Sequence, residues 1–146
     1  MWNRKMTLFL KNYLKMLNDT GVNNKDNMII NIGLLLEKNI SKDNPTDYSL
    51  LLPPELVNLS VSQEDIDEII NSLLILLKNE PSYSSRVVWA IGKTFDEKKI
   101  EALLFTLSQI KYCDDETFKQ IIFLTDVVKN KQINRLVHEI ELFRLS

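Results

Sequence analysis

Cysteine, histidine, glycine and proline are all scarce in this chain of 146 residues. Cys113 is the only cysteine and His138 the only histidine. One thiol cannot close an intrachain disulfide, and one thiol with one imidazole cannot supply the usual Cys/His ligand set of zinc. A chain without a disulfide framework suits a reducing compartment, and the expected location is the cytoplasm. Three glycines and four prolines are too few for a turn-rich β fold. No apolar run approaches the roughly 18 residues of a membrane span. The basic start Met1-Trp2-Asn3-Arg4-Lys5 is followed by Lys11 and Lys15, which interrupt any apolar signal segment, and no cleavage pattern follows. A basic excess is missing as well. With 18 Lys/Arg against 20 Asp/Glu, the net charge of −2 creates no overall field that would draw in nucleic acid.

The motifs of common enzymes are absent too: the Gly-rich phosphate loop, the dinucleotide fingerprint, the His-Glu-x-x-His zinc helix and the Gly-x-Ser-x-Gly nucleophile turn. Neither a cofactor nor a metal is therefore expected. Acid–base catalysis would need two carboxyls in one cleft with split pKa values. The candidates are Asp96/Glu97 and Asp114/Asp115/Glu116. Both groups stand where helices should begin, and capping explains acids there as well as catalysis would. His138, near Arg135 and Glu141 on the last helix, would need a nucleophile that nothing in the sequence supplies. Cys113 lies beside Asp114, whose charge should raise its pKa, so it reads as a small filler rather than a reactive thiol.

What is present is helical periodicity. At 45% hydrophobic and 26% charged, the chain is ordinary for a globular protein, and its size suits one domain with a real core. Residues 2–18 place Met6, Phe9, Leu10, Tyr13, Leu14 and Leu17 on one face, with Arg4, Lys5, Lys11 and Lys15 opposite. Such a basic amphipathic helix could lie on a membrane, but docking on other helices needs the same stripe. Asp19-Thr20-Gly21 should end it, with Gly21 as a left-handed cap. A second helix spans about 26–38, with Ile29, Ile32, Leu35 and Leu36 inward. Residues 40–61 form an irregular connection opened by Ser41, Asp43, Asn44, Pro45, Thr46 and Asp47. Its Leu50, Leu51, Leu52, Leu56, Val57 and Leu59 should pack across the first helices; a binding loop is the other reading. Pro53-Pro54 should begin a short helical turn there. Ser62-Gln63-Glu64-Asp65 reads as a capping box for a helix reaching Asn79. Pro81 stops that helix and starts one over about 82–94. Asp96 should cap 97–111, Asp114 or Asp115 should cap 115–129, and the last helix spans about 131–144.

The apolar pattern recurs. A shift of 34 carries Ile66, Ile69, Ile70, Leu73 and Leu76 onto Ile100, Leu103, Leu104, Leu107 and Ile110, and Val87, Val88 and Trp89 onto Ile121, Ile122 and Phe123. A shift of 33 carries the second set onto Ile133, Leu136, Val137, Ile140 and Phe143. The second helix fits the template at Ile32, Leu35 and Leu36 and departs from it at Asn39. Apolar templates repeating at this spacing over two helices mark an α-solenoid. The expected fold is all-α: an N-terminal helical pair (1–39), the connection (40–61) and repeats over 62–146, with the last helix covering the open end.

Glu80-Pro81-Ser82-Tyr83, Val87-Val88, Ala90-Ile91-Gly92-Lys93, Asp96 and Ile100-Glu101-Ala102-Leu103 resemble the HEAT-like repeat of the phycobilisome-lyase type. Ser84-Ser85 stands where that family has an Arg pair, Val87 and Val88 fill its small Ala positions, and Thr125-Asp126 replaces Ile91-Gly92 in the second copy. The resemblance covers roughly residues 63–145 and implies a fold, not an activity.

The function this suggests is protein binding without catalysis. In composition the chain looks like bacterial proteins that neutralise a partner, as toxin-immunity proteins do; a general HEAT-like adaptor or regulatory scaffold is the alternative. Bilin-lyase-like activity and nucleic-acid binding are the remaining readings. Against the latter, Lys98, Lys99, Lys111, Lys129, Lys131 and Arg135 are scattered among acids. Residues 1–45 hold 7 Lys/Arg and 4 Asp/Glu, net +3; residues 46–146 hold 11 and 16, net −5. That acidic part suits a cationic partner, such as a toxin domain. Trp89 and Phe123 hold the same place in successive repeats. They could form an apolar patch that binds, or pack between repeats. The candidate partner-binding residues are Trp89 and Phe123, with Ser85, Lys119, Asp114, Asp115 and Glu116.

Overall fold

The computed structural model describes residues 7–40 and 45–146. The expected first turn of helix at 2–6 and the turn formers Ser41, Asp43 and Asn44 lie outside the described residues. Among those described there are eight α-helices and no strand: α1 (Leu8–Leu17), α2 (Asp26–Ile40), α3 (Pro54–Val57), α4 (Gln63–Asn79), α5 (Ser84–Gly92), α6 (Glu97–Ile110), α7 (Asp115–Val127) and α8 (Lys131–Leu145). None of them is long and apolar enough to cross a membrane.

Short polar side chains start these helices by accepting from backbone N–H groups that have no partner in the first turn. Ser62 and Asp65 form the reciprocal capping box. Asp96 accepts from the N–H groups of Lys98 and Lys99, Asp114 from Thr117, and Asn130 from Ile133. Pro81 ends α4 and opens a 3-10 turn over Pro81–Tyr83, so α5 is shorter than expected and stops at Gly92. The expected left-handed Gly21 is not found: no glycine has positive φ, and those backbones belong to Asn24, Phe95 and Lys111. Helix α1 ends differently, with the Asn18 amide donating to the Ser72 carbonyl on α4 and Asp19 Oδ1 accepting from the Gly21 N–H.

The helices pack in two rows. Helices α2, α5 and α7 lie side by side, and α4, α6 and α8 form the other row, with α1 against α4. Polar rungs show the direction within each row. Asp26–Arg86 (3.7 Å) and Glu37–Lys93 (2.9 Å) join like ends of α2 and α5. The Ser84 and Thr117 hydroxyls, 2.6 Å apart and buried, join the starts of α5 and α7. Lys99–Asp67 and Asn130–Glu97 do the same for α4 with α6 and for α6 with α8. Neighbours in a row are therefore parallel. Between the rows lies one apolar cluster that includes Leu73, Leu76, Val87, Val88, Ile100, Leu103, Leu104, Leu107, Ile133, Leu136 and Ile140, all buried. Each such side chain stabilises the fold by about 1.5–3 kcal/mol relative to exposure.

The connection after α2 packs only in part. Tyr48, Leu52 and Leu56 are buried, whereas Leu50 and Leu51 are exposed, because the 3-10 turn at Tyr48–Leu50 rotates them outward. The connection is tied to α2 by polar bonds: Tyr48 Oη to Glu37, Lys38 Nζ to the Leu59 carbonyl, and the Val61 N–H to Asn39 Oδ1. Asn39 interrupts the apolar template because it holds this chain segment. A second tie joins the two inter-helix turns. Lys25, fully buried just before α2, donates from Nζ to Glu80 and from its backbone N–H to Tyr83 Oη.

Candidate functional site

Two concave sites flank α7. The first is a shallow groove of about 160 Å³ between α5 and α7, lined by Trp89, Lys93, Phe95, Phe123, Leu124 and Val127 among others. Its volume is below the 300–1,000 Å³ or so of small-molecule sites and matches about one large side chain. Its walls follow from row order. Helix α5 has a neighbour on each side, α2 and α7. Helix α7 has α5 on one side and, among the described residues, no further helix beyond it in its row. Some template positions buried on α5 are therefore bare on α7: Val88 is buried, whereas its counterpart Ile122 is exposed. Trp89 is half-buried, whereas its counterpart Phe123 is 72% exposed.

Trp89 has two roles in this geometry. One edge packs against Gly33 of α2, so closely that a Cβ there would sit 2.3 Å from the indole Cζ3. Another part lines the groove, with the Lys93 ammonium 4.9 Å from the ring centroid. Lys93 is held over the ring by Glu37, 2.9 Å away. Burial pushes the Glu37 carboxyl up, but Lys93 and the Tyr48 hydroxyl outweigh it and hold the carboxyl below its usual range.

Phe95 forms the mouth. Its backbone is left-handed, with φ of 48°, and its side chain is exposed. The chain must reverse between α5 and α6 in four residues. Thr94 is fixed by its hydroxyl on the Ile91 carbonyl, and Asp96 by its capping role, so the left-handed step falls on position 95. An aromatic residue in that backbone region is strained, and strain of this kind concentrates at functional sites.

The second site, about 390 Å³ and more polar, lies at the α6–α7 turn and is lined by Tyr112, Cys113, Asp114, Asp115, Phe143 and Arg144 among others. Two of its charges, Arg144 and Asp115, are paired with each other. Arg144 bonds Asp115 and the Cys113 carbonyl and stacks on Phe118 at 4.4 Å. Burial, against the pull of Arg144 and aided by Asp114 and Asp115, pushes the Cys113 thiol up to about 11. It is a poor thiolate. Burial raises Asp114, but its bonds from Thr117 and Tyr112 prevail and the carboxyl ends below its usual range. Lys99 does the same to Asp96. Both lowered carboxyls are accounted for by the bonds they accept as helix caps. Among the described residues no three His, Cys, Asp or Glu side chains converge as a metal site requires.

Of the residues singled out from sequence, Trp89 and Phe123 meet in the groove, and Asp114 and Asp115 meet in the second site. Glu116 and Lys119 pair on the exposed face of α7, 3.4 Å apart, and Ser85 lines neither site. Sequence reasoning missed Phe95, Lys93 and Val127. The only signal for Phe95 is its place between Thr94 and the capping Asp96 in so short a turn. No protein-family model, curated protein or solved structure matches this chain.

Proposed function

We propose that this chain is a non-catalytic protein-binding module built as a short HEAT-like stack, with the α5–α7 groove as its binding surface. The observation that carries the reading is the groove itself: Phe95, Phe123 and Val127 are more than half exposed around a cavity the size of one side chain. Apolar groups exposed together in this way mark interaction sites. The repeat reading draws on the two parallel rows and on rungs such as Ser84–Thr117 and Glu97–Asn130, each joining residues 33 apart. The immunity reading, in which the partner is a cationic toxin domain, draws on the −5 balance of residues 46–146. A general adaptor would use the same groove without that charge preference.

The test is co-expression with the product of the neighbouring gene and recovery of the complex. Wild-type protein should recover its partner, and Phe95→Ser and Val127→Ser should lose it while melting like the wild type. A toxic neighbour whose growth defect is relieved only by groove-intact protein supports immunity. Recovery unaffected by both variants would move the binding site elsewhere.

A further inference from the structure

We infer that a second copy of this chain docks on α7, antiparallel and two-fold related, with the two Phe123 side chains facing each other across the axis, each against the Phe123 wall of the partner's groove. The inference rests on the groove being a protein-binding surface and names an occupant for it. Helix α7 is the open edge of its row, and its outer face carries Ile122, Phe123 and Val127 exposed.

The charges on that face point to self-pairing. Lys119 lies four residues before Phe123 and Asp126 three after it. At 3.6 residues per turn both fall on the same flank, about 6 Å and about 4.5 Å from Phe123 along the axis. A two-fold axis through Phe123 reverses the helix but keeps the flank. It therefore sets Lys119 of one copy beside Asp126 of the other, and this happens twice. Their placement within one copy runs against the helix dipole, which favours cations near the C-terminus and disfavours an acid there. Within one copy each has only an exposed pair of the i, i+3 kind, Glu116–Lys119 at 3.4 Å and Asp126–Lys129 at 3.9 Å. Such pairs contribute little. Two-fold interfaces require this self-complementarity.

Sedimentation equilibrium of the full chain tests the arrangement. Wild type should show a concentration-dependent monomer–dimer equilibrium. Lys119→Asp places like charges together twice and should weaken it by about tenfold or more. Lys119→Asp with Asp126→Lys should restore it to within about threefold. Phe123→Asp, at an exposed position, should abolish it without changing the melt. A monomer at every concentration overturns the inference, as does a dimer indifferent to Lys119→Asp or not rescued by the charge swap. If the chain is monomeric yet recovers a partner that Phe95→Ser loses, the dimer falls and the groove reading stands.

Discussion

The ring of Trp89 fills the space that a side chain at position 33 would need: a Cβ on Gly33 would stand 2.3 Å from the indole Cζ3. The contact locks α2 to α5 at the point where α5 also forms the groove wall. Gly33 sits in the middle of α2, where glycine costs about 1 kcal/mol relative to alanine, so the packing must outweigh that cost. Gly33→Ala should therefore destabilise the wild type by about 1–3 kcal/mol through overpacking. In a Trp89→Ala background the same change should stabilise by up to about 1 kcal/mol, since only the propensity gain remains. Urea titrations of the four proteins measure this reversal of sign, and additive effects would show that the two residues do not constrain each other.

Lys25 and Glu80 make a different kind of lock. Lys25 is fully buried, and Glu80 keeps a quarter or so of its side chain exposed. Removing one partner leaves an uncompensated charge, so Lys25→Met should cost about 3 kcal/mol or more in thermal melts. Lys25→Met with Glu80→Leu should recover most of that loss, because an apolar pair of similar volume has no desolvation cost. A double variant as unstable as the single one would mean that the loss does not come from the unpaired Glu80 carboxylate.

Much of the helical frame is legible in the sequence, because capping and periodicity are local. Ser62 with Asp65, Asp96 and Asp114 announce α4, α6 and α7 within one turn of their observed starts. What is not legible is tertiary. Lys25 between Asn24 and Asp26 reads as a solvated loop residue, and its acidic partner is 55 residues away. Gly21 looks like a helix cap, yet Asn18 and Asp19 end α1 through side-chain bonds. The aromatic pair illustrates both sides. Trp89 and Phe123 are equivalent by spacing. Their different exposure depends on α5 having two row neighbours and α7 one, which the spacing alone cannot reveal.

Tyr48 links the connection after α2 to pH. Burial first, and then its bond to Glu37, push the phenol up to about 12. Its unfolded value is about 10. A group raised on folding contributes stability that is complete below the unfolded value and lost as pH climbs through the folded one. The wild type should thus lose stability more steeply than Tyr48→Phe between about pH 10 and 12. The difference between the two melting curves isolates this group from lysines and other tyrosines that titrate in the same window. Parallel curves would indicate that Tyr48 is as free to ionise in the folded protein as in the unfolded chain.

On the groove-binding proposal, Phe95 sets stability against binding. A left-handed backbone costs a residue with a Cβ roughly 1–2 kcal/mol, and asparagine bears it best among such residues. The exposed Phe95 side chain returns little of that cost in packing, since more than half of it faces solvent. Phe95→Asn should therefore raise stability, by about 1 kcal/mol, with a higher urea midpoint and an unchanged slope. The same change removes an aromatic wall of the groove and, on the groove-binding proposal, should weaken recovery of a bound partner. Opposite signs in the two measurements are the signature of a strained residue retained for binding. If Phe95→Asn is instead less stable, the phenyl ring is holding the α5–α6 turn, and the strain argument for the groove is lost.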